Sequence, residues 1–125
     1  MSPRVLITDD SMLMRHMIAD TLKKDGWEVV GCAADSDQAI AMYKEYRPDV
    51  VTLDIVMPDT NGLQTLEGII EFDPNAKVVV VSALSKTNLI SEAIRKGAQD
   101  FISKPFLPEQ LQEMMRKFAD HTAAV

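Results

Sequence analysis

A single cysteine, Cys32, stands in the 125 residues, so no intrachain disulfide can close and no thiolate zinc site can assemble. A reducing, cytoplasmic setting is expected. No apolar run approaches the roughly 20 residues that a membrane span requires, and the first ten residues, MSPRVLITDD, lack the long apolar stretch of a secretory signal. Neither membrane insertion nor export is expected. Basic residues are in the minority, 13 Lys plus Arg against 19 Asp plus Glu for a net charge of -6, and they form no cluster that could neutralise phosphates. Direct nucleic-acid binding is not expected on that ground. What is present is ordinary: 46% hydrophobic and 26% charged residues, the make-up of a soluble globular domain. The length suits one domain over residues 1–125 with a core from about 4 to 120, and the tail HTAAV after Asp120 is expected to fray.

Short β-branched runs alternate with segments of helical periodicity. Val5, Leu6 and Ile7 read as a buried strand that stops at Asp9 and Asp10, and Met14, Met17, Ile18 and Leu22 mark a helix ended by Asp25 and Gly26. Residues 28–33 read as a second, peripheral strand. Asp35 with Gln38 predicts a capping box, ahead of a helix with Ala39, Ile40, Met42 and Tyr43 on one face that Arg47 and Pro48 end. Val50 to Leu53 predict a third strand ending at Asp54, and residues 58–62 are turn-rich. Leu63, Leu66, Ile69 and Ile70 predict a third helix. The four valines 78–81 are apolar without alternation, as in a parallel strand covered on both faces, and they end at Ser82. Leu89, Ile90, Ala93 and Ile94 predict a helix stopping at Gly97, a short strand follows over 100–103, and Leu111, Met114, Met115 and Phe118 mark the last helix. Five strand-helix units without repeats or a linker predict an α/β fold, a mostly parallel sheet with helices on both faces.

In such a sheet right-handed crossovers bring every loop that leads into a helix to the carboxyl edge. Asp9, Asp10, Asp54, Ser82 and Lys104 all fall there. Any one of them has an ordinary explanation as a helix cap or solvated loop residue; their coincidence on one rim is what points to chemistry. Two carboxylates at 4 Å repel by about 4 kcal/mol in an effective dielectric near 20, and one lysine cannot offset three of them. An oxygen-only ligand set invites a hard divalent cation and suits Mg²⁺ better than zinc. With a cation and Lys104 in place the pocket can hold a phosphoryl group, and an aspartate is a competent acceptor for one.

The stretches LITDDSMLMR, VVTLDIVMP, DTNGL, VVVVSAL and GAQDFISKPF, in this order and spacing, resemble the receiver domain of bacterial two-component response regulators, above all its stand-alone chemotaxis members. Two of these segments also resemble the receiver half of the chemotaxis methylesterase. The resemblance spans nearly the whole chain and implies a flavodoxin-like, doubly wound sheet of five parallel strands in the order 2-1-3-4-5 with five helices. It implies that a histidine kinase phosphorylates Asp54, that Asp10 binds Mg²⁺ directly and Asp9 mainly through water, and that the Val56 carbonyl completes the ligands. Lys104 would pair with the phosphoryl group, and the Lys104-Pro105 bond would be cis, as only about 5% of X-Pro bonds are. Ser82 and Phe101 would be the switch residues, converting an added charge of about -1.5 to -2 into a change of the helix 4, strand 5, helix 5 face that binds a downstream protein target, the flagellar motor switch being one candidate. The module would be a phosphoacceptor that catalyses its own phosphorylation and dephosphorylation rather than a turnover enzyme.

Departures from the chemotaxis pattern carry expectations too. Phe101 lacks the hydroxyl of the tyrosine common at that position. Val56 and Leu84 are apolar where polar residues are frequent; neither can orient an attacking water, so self-dephosphorylation is expected to be slow. A pathway outside chemotaxis stays open. A dehalogenase-type Mg²⁺-dependent phosphatase would set its two acids two residues apart, whereas Asp9 and Asp10 are adjacent; a phosphorylation-independent scaffold would not need the full acid set. His16 is expected outside the first helix, His121 in the tail, Trp27 far from Asp54, and the eight methionines in packing roles.

Overall fold

The computed structural model describes residues 2–57, 60–83 and 87–123, with residues 60, 61 and 120–123 described through their backbone alone. Five strands take up the apolar runs: β1 (Arg4–Thr8), β2 (Glu28–Ala33), β3 (Val50–Asp54), β4 (Val78–Ala83) and β5 (Asp100–Lys104). They pair in parallel in the spatial order β2-β1-β3-β4-β5, the flavodoxin-like order that the resemblance implies. The intervening helices are α1 (Met12–Lys24), α2 (Ser36–Tyr46), α3 (Gly62–Phe72), α4 (Thr87–Arg95) and α5 (Pro108–Ala123).

Alternation along each strand divides the interior into two layers. Val5, Ile7, Val50, Val79 and Val81 join Ile18, Leu22, Leu111 and Met115 of α1 and α5 on one side. Leu6, Val51, Leu53, Val78 and Val80 join Leu66, Ile69, Ile90 and Ala93 of α3 and α4 on the other, with Tyr43 of α2. The central strands are therefore apolar on both faces, which is why the four valines show no alternation. β2 lies at the sheet edge and is only partly buried.

Helix ends follow the local chemistry. Ser11 Oγ accepts the Met14 N–H at 3.2 Å and Asp35 Oδ1 accepts the Gln38 N–H at 2.8 Å, each satisfying a donor of the first turn. The Gln38 side chain does not complete a capping box: its Oε1 accepts from Ala34 N at 2.8 Å, one residue before the cap. α2 ends with Arg47 in the left-handed region at φ 47°, its carbonyl held by Arg4 Nη1 at 3.0 Å and its guanidinium 4.7 Å from the centre of the Phe72 ring.

Some expected faces are revised. Met17 and Ile94 fit the apolar periodicity yet are 39% and 43% exposed, because each lies at the border of its stripe. Within the stretch 58–62 expected as turn, Thr60–Asn61 form a short strand that pairs antiparallel with Val56–Met57. α5 runs three residues past Asp120. His16 is exposed on α1 as expected, and Trp27 is buried at the amino end of β2, the opposite end of the sheet from Asp54. The side chain of His121 lies outside the described residues, and so does Leu84.

Candidate functional site

β1 delivers Asp9 in a fixed pose. Its N–H donates to Ala33 O at 3.0 Å, which extends the pairing with β2 by one residue beyond Thr8. Asp9 Oδ1 then accepts from Ser11 N at 2.9 Å, and Oδ2 accepts from Lys104 Nζ at 2.9 Å. The side chain is 1% exposed, a buried carboxylate whose two oxygens both have donors. Asp10 next to it is exposed.

Asp54 closes β3 and is 6% exposed. Its Oδ1 accepts from Val56 N at 2.9 Å and its Oδ2 from Lys104 Nζ at 3.2 Å. Lys104 comes from β5, two strands away, so only a long stem can bring its ammonium to both acids across β4, which ends in the small residues Ser82 and Ala83. Carboxylate oxygens of Asp9, Asp10 and Asp54 lie within 4.8 Å of one another. The three acids predicted from sequence are thus gathered in one pocket with the predicted lysine.

The electrostatics are poised. Desolvation is the largest influence on Asp54 and pushes its pKa up; the Val56 N–H and Lys104 oppose it, the negative charge of Asp9 reinforces it, and the net result is a raised pKa. For Lys104 desolvation is again the largest single influence and works downward, but the bond to Asp9 and the charges of Asp54 and Asp9 outweigh it and raise the pKa. Among the described residues, the Lys104 ammonium bonds Asp9 and Asp54, and the Asp10 carboxylate adds a third negative charge beside them. An all-oxygen set of this charge can hold a hard divalent cation.

Ser82 stands at the end of β4, one position past Val81, which is the register partner of Asp54. Its hydroxyl is buried and has no partner among the described residues. Phe101 is half-buried on β5 against the α3/α4 layer. Val56 is 43% exposed beside Asp54, and the Lys104-Pro105 bond is cis.

Gly62, where α3 begins, is a site residue that periodicity alone does not reveal. A Cβ there would stand 2.2 Å from Ile55 Cα and 2.8 Å from the Asp54 carbonyl oxygen, so glycine is what lets α3 start directly against the backbone that carries Asp54. The signal was available as a glycine opening a helix eight residues after a strand-end acid.

Fold and pocket together define a doubly wound α/β domain whose carboxyl edge is built to balance negative charge around a buried aspartate. A family model described as the response regulator receiver domain matches residues 5–116, and the chain belongs to that family. It is 46% identical over 117 residues to the chemotaxis protein CheY of Thermotoga maritima, covering 94% of this chain and 98% of that one. It is 42% identical over 118 residues to the protein CcdB of Bacillus subtilis, with 94% and 98% covered. Among solved structures it matches a chain of the CheX-CheY-BeF3-Mg²⁺ complex from Borrelia burgdorferi with TM-score 0.86 and 39% identity, over 93% of this chain and 89% of that one. Among the described residues no helix is long and apolar enough to cross a membrane.

Proposed function

We propose that this receiver accepts a phosphoryl group from a phosphohistidine of a histidine kinase onto Asp54, in the presence of Mg²⁺, and that the modified protein binds a downstream target through the face formed by α4, β5 and α5. The observation that carries this reading is the lysine-bridged pair of buried carboxylates, Asp9 and Asp54, with the Asp10 carboxylate at ligand distance. In the transfer an Asp54 oxygen attacks phosphorus, the new O–P bond forms as the donor N–P bond breaks, and the electron pair returns to the imidazole nitrogen. Desolvation that raises the basicity of Asp54 favours its role as nucleophile. Asp10, Asp54 and the Val56 carbonyl would hold Mg²⁺, with Asp9 acting mainly through water. Bound there, the ion supplies positive charge against the oxygens of the transferred group.

Lys104 is placed to leave Asp54 for a phosphoryl oxygen while keeping Asp9. The Ser82 hydroxyl has no partner among the described residues, and a phosphoryl oxygen would accept its hydrogen bond. Its movement toward that oxygen would open room for Phe101 to turn inward, which couples the site to the α4-β5-α5 face. Val56, with no group to orient water, and Leu84 favour a long-lived phosphoryl group. The kinase and the target place the chain in the cytoplasm, in chemotaxis or motility signalling, with the flagellar motor switch as a candidate target. The likeness to CcdB at nearly the same identity as to CheY favours a second reading of the pathway alone, a phosphorelay outside chemotaxis.

Intact-mass measurement after incubation with acetyl phosphate and Mg²⁺ tests the reading. Wild type gains one phosphoryl mass and Asp54→Asn gains none; full labelling of Asp54→Asn, or no labelling of wild type, overturns it.

A further inference from the structure

Asp9 is held at every hydrogen-bonding group. Three of its partners belong to the pocket or the sheet: Ala33 O, Ser11 N and Lys104 Nζ. The fourth is Arg15, whose Nη1 donates to the Asp9 carbonyl at 2.7 Å. That carbonyl belongs to the peptide plane joining Asp9 to Asp10. Holding its oxygen fixes the rotation of the plane, and with it the direction in which the exposed Asp10 leaves the chain.

Arg15 itself is anchored. It follows the cap by one turn, and its own N–H donates to Ser11 O at 2.9 Å, so the guanidinium reaches back from the second turn of α1 to the loop that precedes the helix. A short, charge-assisted bond to a partly buried carbonyl is a strong one, and the planar guanidinium holds an acceptor in a defined direction better than a mobile ammonium does. The motif DDSMLMR places this arginine five residues after Asp10, and nothing in the phosphoryl chemistry above uses it.

We propose that Arg15 is a positioning residue: it clamps the Asp9-Asp10 peptide so that the Asp10 carboxylate stays aimed into the pocket where Mg²⁺ would bind. The aiming of Asp10 at Mg²⁺ rests on the phosphoacceptor reading; the clamping of the peptide does not. Coulomb repulsion gives the opposite expectation, because a guanidinium near the pocket repels a cation and its removal by that effect alone tightens Mg²⁺ binding. The sign of the change therefore separates positioning from simple charge.

The test is an NMR titration with Mg²⁺ alone on wild type, Arg15→Met and Arg15→Lys, with the backbone order parameter of the Asp10 amide measured before metal is added. Arg15→Met is expected to weaken Mg²⁺ binding about tenfold, the lower range for losing a partner that orients a ligand, to lower the Asp10 order parameter, and to unfold cooperatively; Arg15→Lys falls between. Equal or tighter Mg²⁺ binding by a folded Arg15→Met overturns the proposal. Should Arg15→Met fail to fold, Arg15→Lys decides, since unchanged affinity there also overturns it. If wild type takes up no Mg²⁺, the phosphoacceptor reading fails by itself, and the clamp is judged on the order parameter, an unchanged value overturning it.

Discussion

Replacing Lys104 with methionine keeps most of the stem and removes the ammonium that bridges Asp9 and Asp54. At 2.9 and 3.2 Å each attraction amounts to about 5 to 6 kcal/mol at an effective dielectric of 20, while each pair of acids within 4.8 Å repels by about 3.5 kcal/mol. Three repulsions nearly match two attractions, and desolvation is left without an offset, which agrees with the raised pKa of Asp54. Removing the lysine leaves two buried carboxylates unpaired, and partial protonation limits the realised loss to about 3 to 5 kcal/mol. At about 4 °C per kcal/mol for a domain of this length, Tm should fall by about 12 to 20 °C at neutral pH without metal. Saturating Mg²⁺ should restore much of the loss, because only the folded pocket gathers the ligands. The sign with pH is also fixed. An acid with a raised folded pKa binds its proton more tightly in the native state, so the penalty is fully present above the folded pKa and disappears as pH falls toward about 4. Thermal unfolding followed by circular dichroism, across pH and with and without Mg²⁺, reads all of this. An unchanged Tm, or a deficit indifferent to both Mg²⁺ and acid, would refute the charge-balance reasoning.

Gly62→Ala should cost about 3 kcal/mol or more, since the new methyl meets backbone that cannot move away without shifting Asp54; both Tm and phosphoryl uptake should drop, and normal behaviour of either would count against the close-approach argument. Tyr43 donates to Asp73 Oδ2 at 2.7 Å, and this bond is the chief reason the Asp73 pKa is lowered. Tyr43→Phe should therefore lose about 1 kcal/mol at neutral pH, with the difference from wild type shrinking as pH falls below about 3.9 and Asp73 protonates, as urea unfolding at several pH values would reveal. The phosphoryl group on Asp54 should outlast a scale of seconds once the donor is removed, and Val56→Glu, which places a water-binding group at the exposed position beside it, should shorten that lifetime; decay within seconds in wild type would contradict the role given to Val56.

Much of this architecture could be read from residue order because strand ends and acids coincide. β2 spans the residues expected for it, and the strand-end positions of Asp54, Ser82 and Lys104 follow from runs of β-branched residues that stop abruptly. Periodicity located helices but not the width of their buried stripes: Met17 and Ile94 satisfy the spacing, yet each lies at the border of its stripe and faces water. Residue type placed an acid pair after β1 without telling which member is buried; the extra bond from Asp9 N to Ala33 O decides that. Gly62 meets the backbone of Ile55 and Asp54, and Arg15 the carbonyl of Asp9, contacts with backbone atoms of other segments that apolar periodicity does not reveal. The strand order came from family resemblance rather than from the residues, because alternating elements alone allow several windings of the sheet.

The central claim is that Asp54, and neither of its acidic neighbours, forms the acyl phosphate. After incubation of the intact chain with acetyl phosphate and Mg²⁺, borohydride reduction converts a phosphorylated aspartate into homoserine, which tandem mass spectrometry locates in the sequence. Homoserine at position 54, dependent on Mg²⁺, is the predicted result; homoserine at position 9 or 10, or none at any acid, would contradict it.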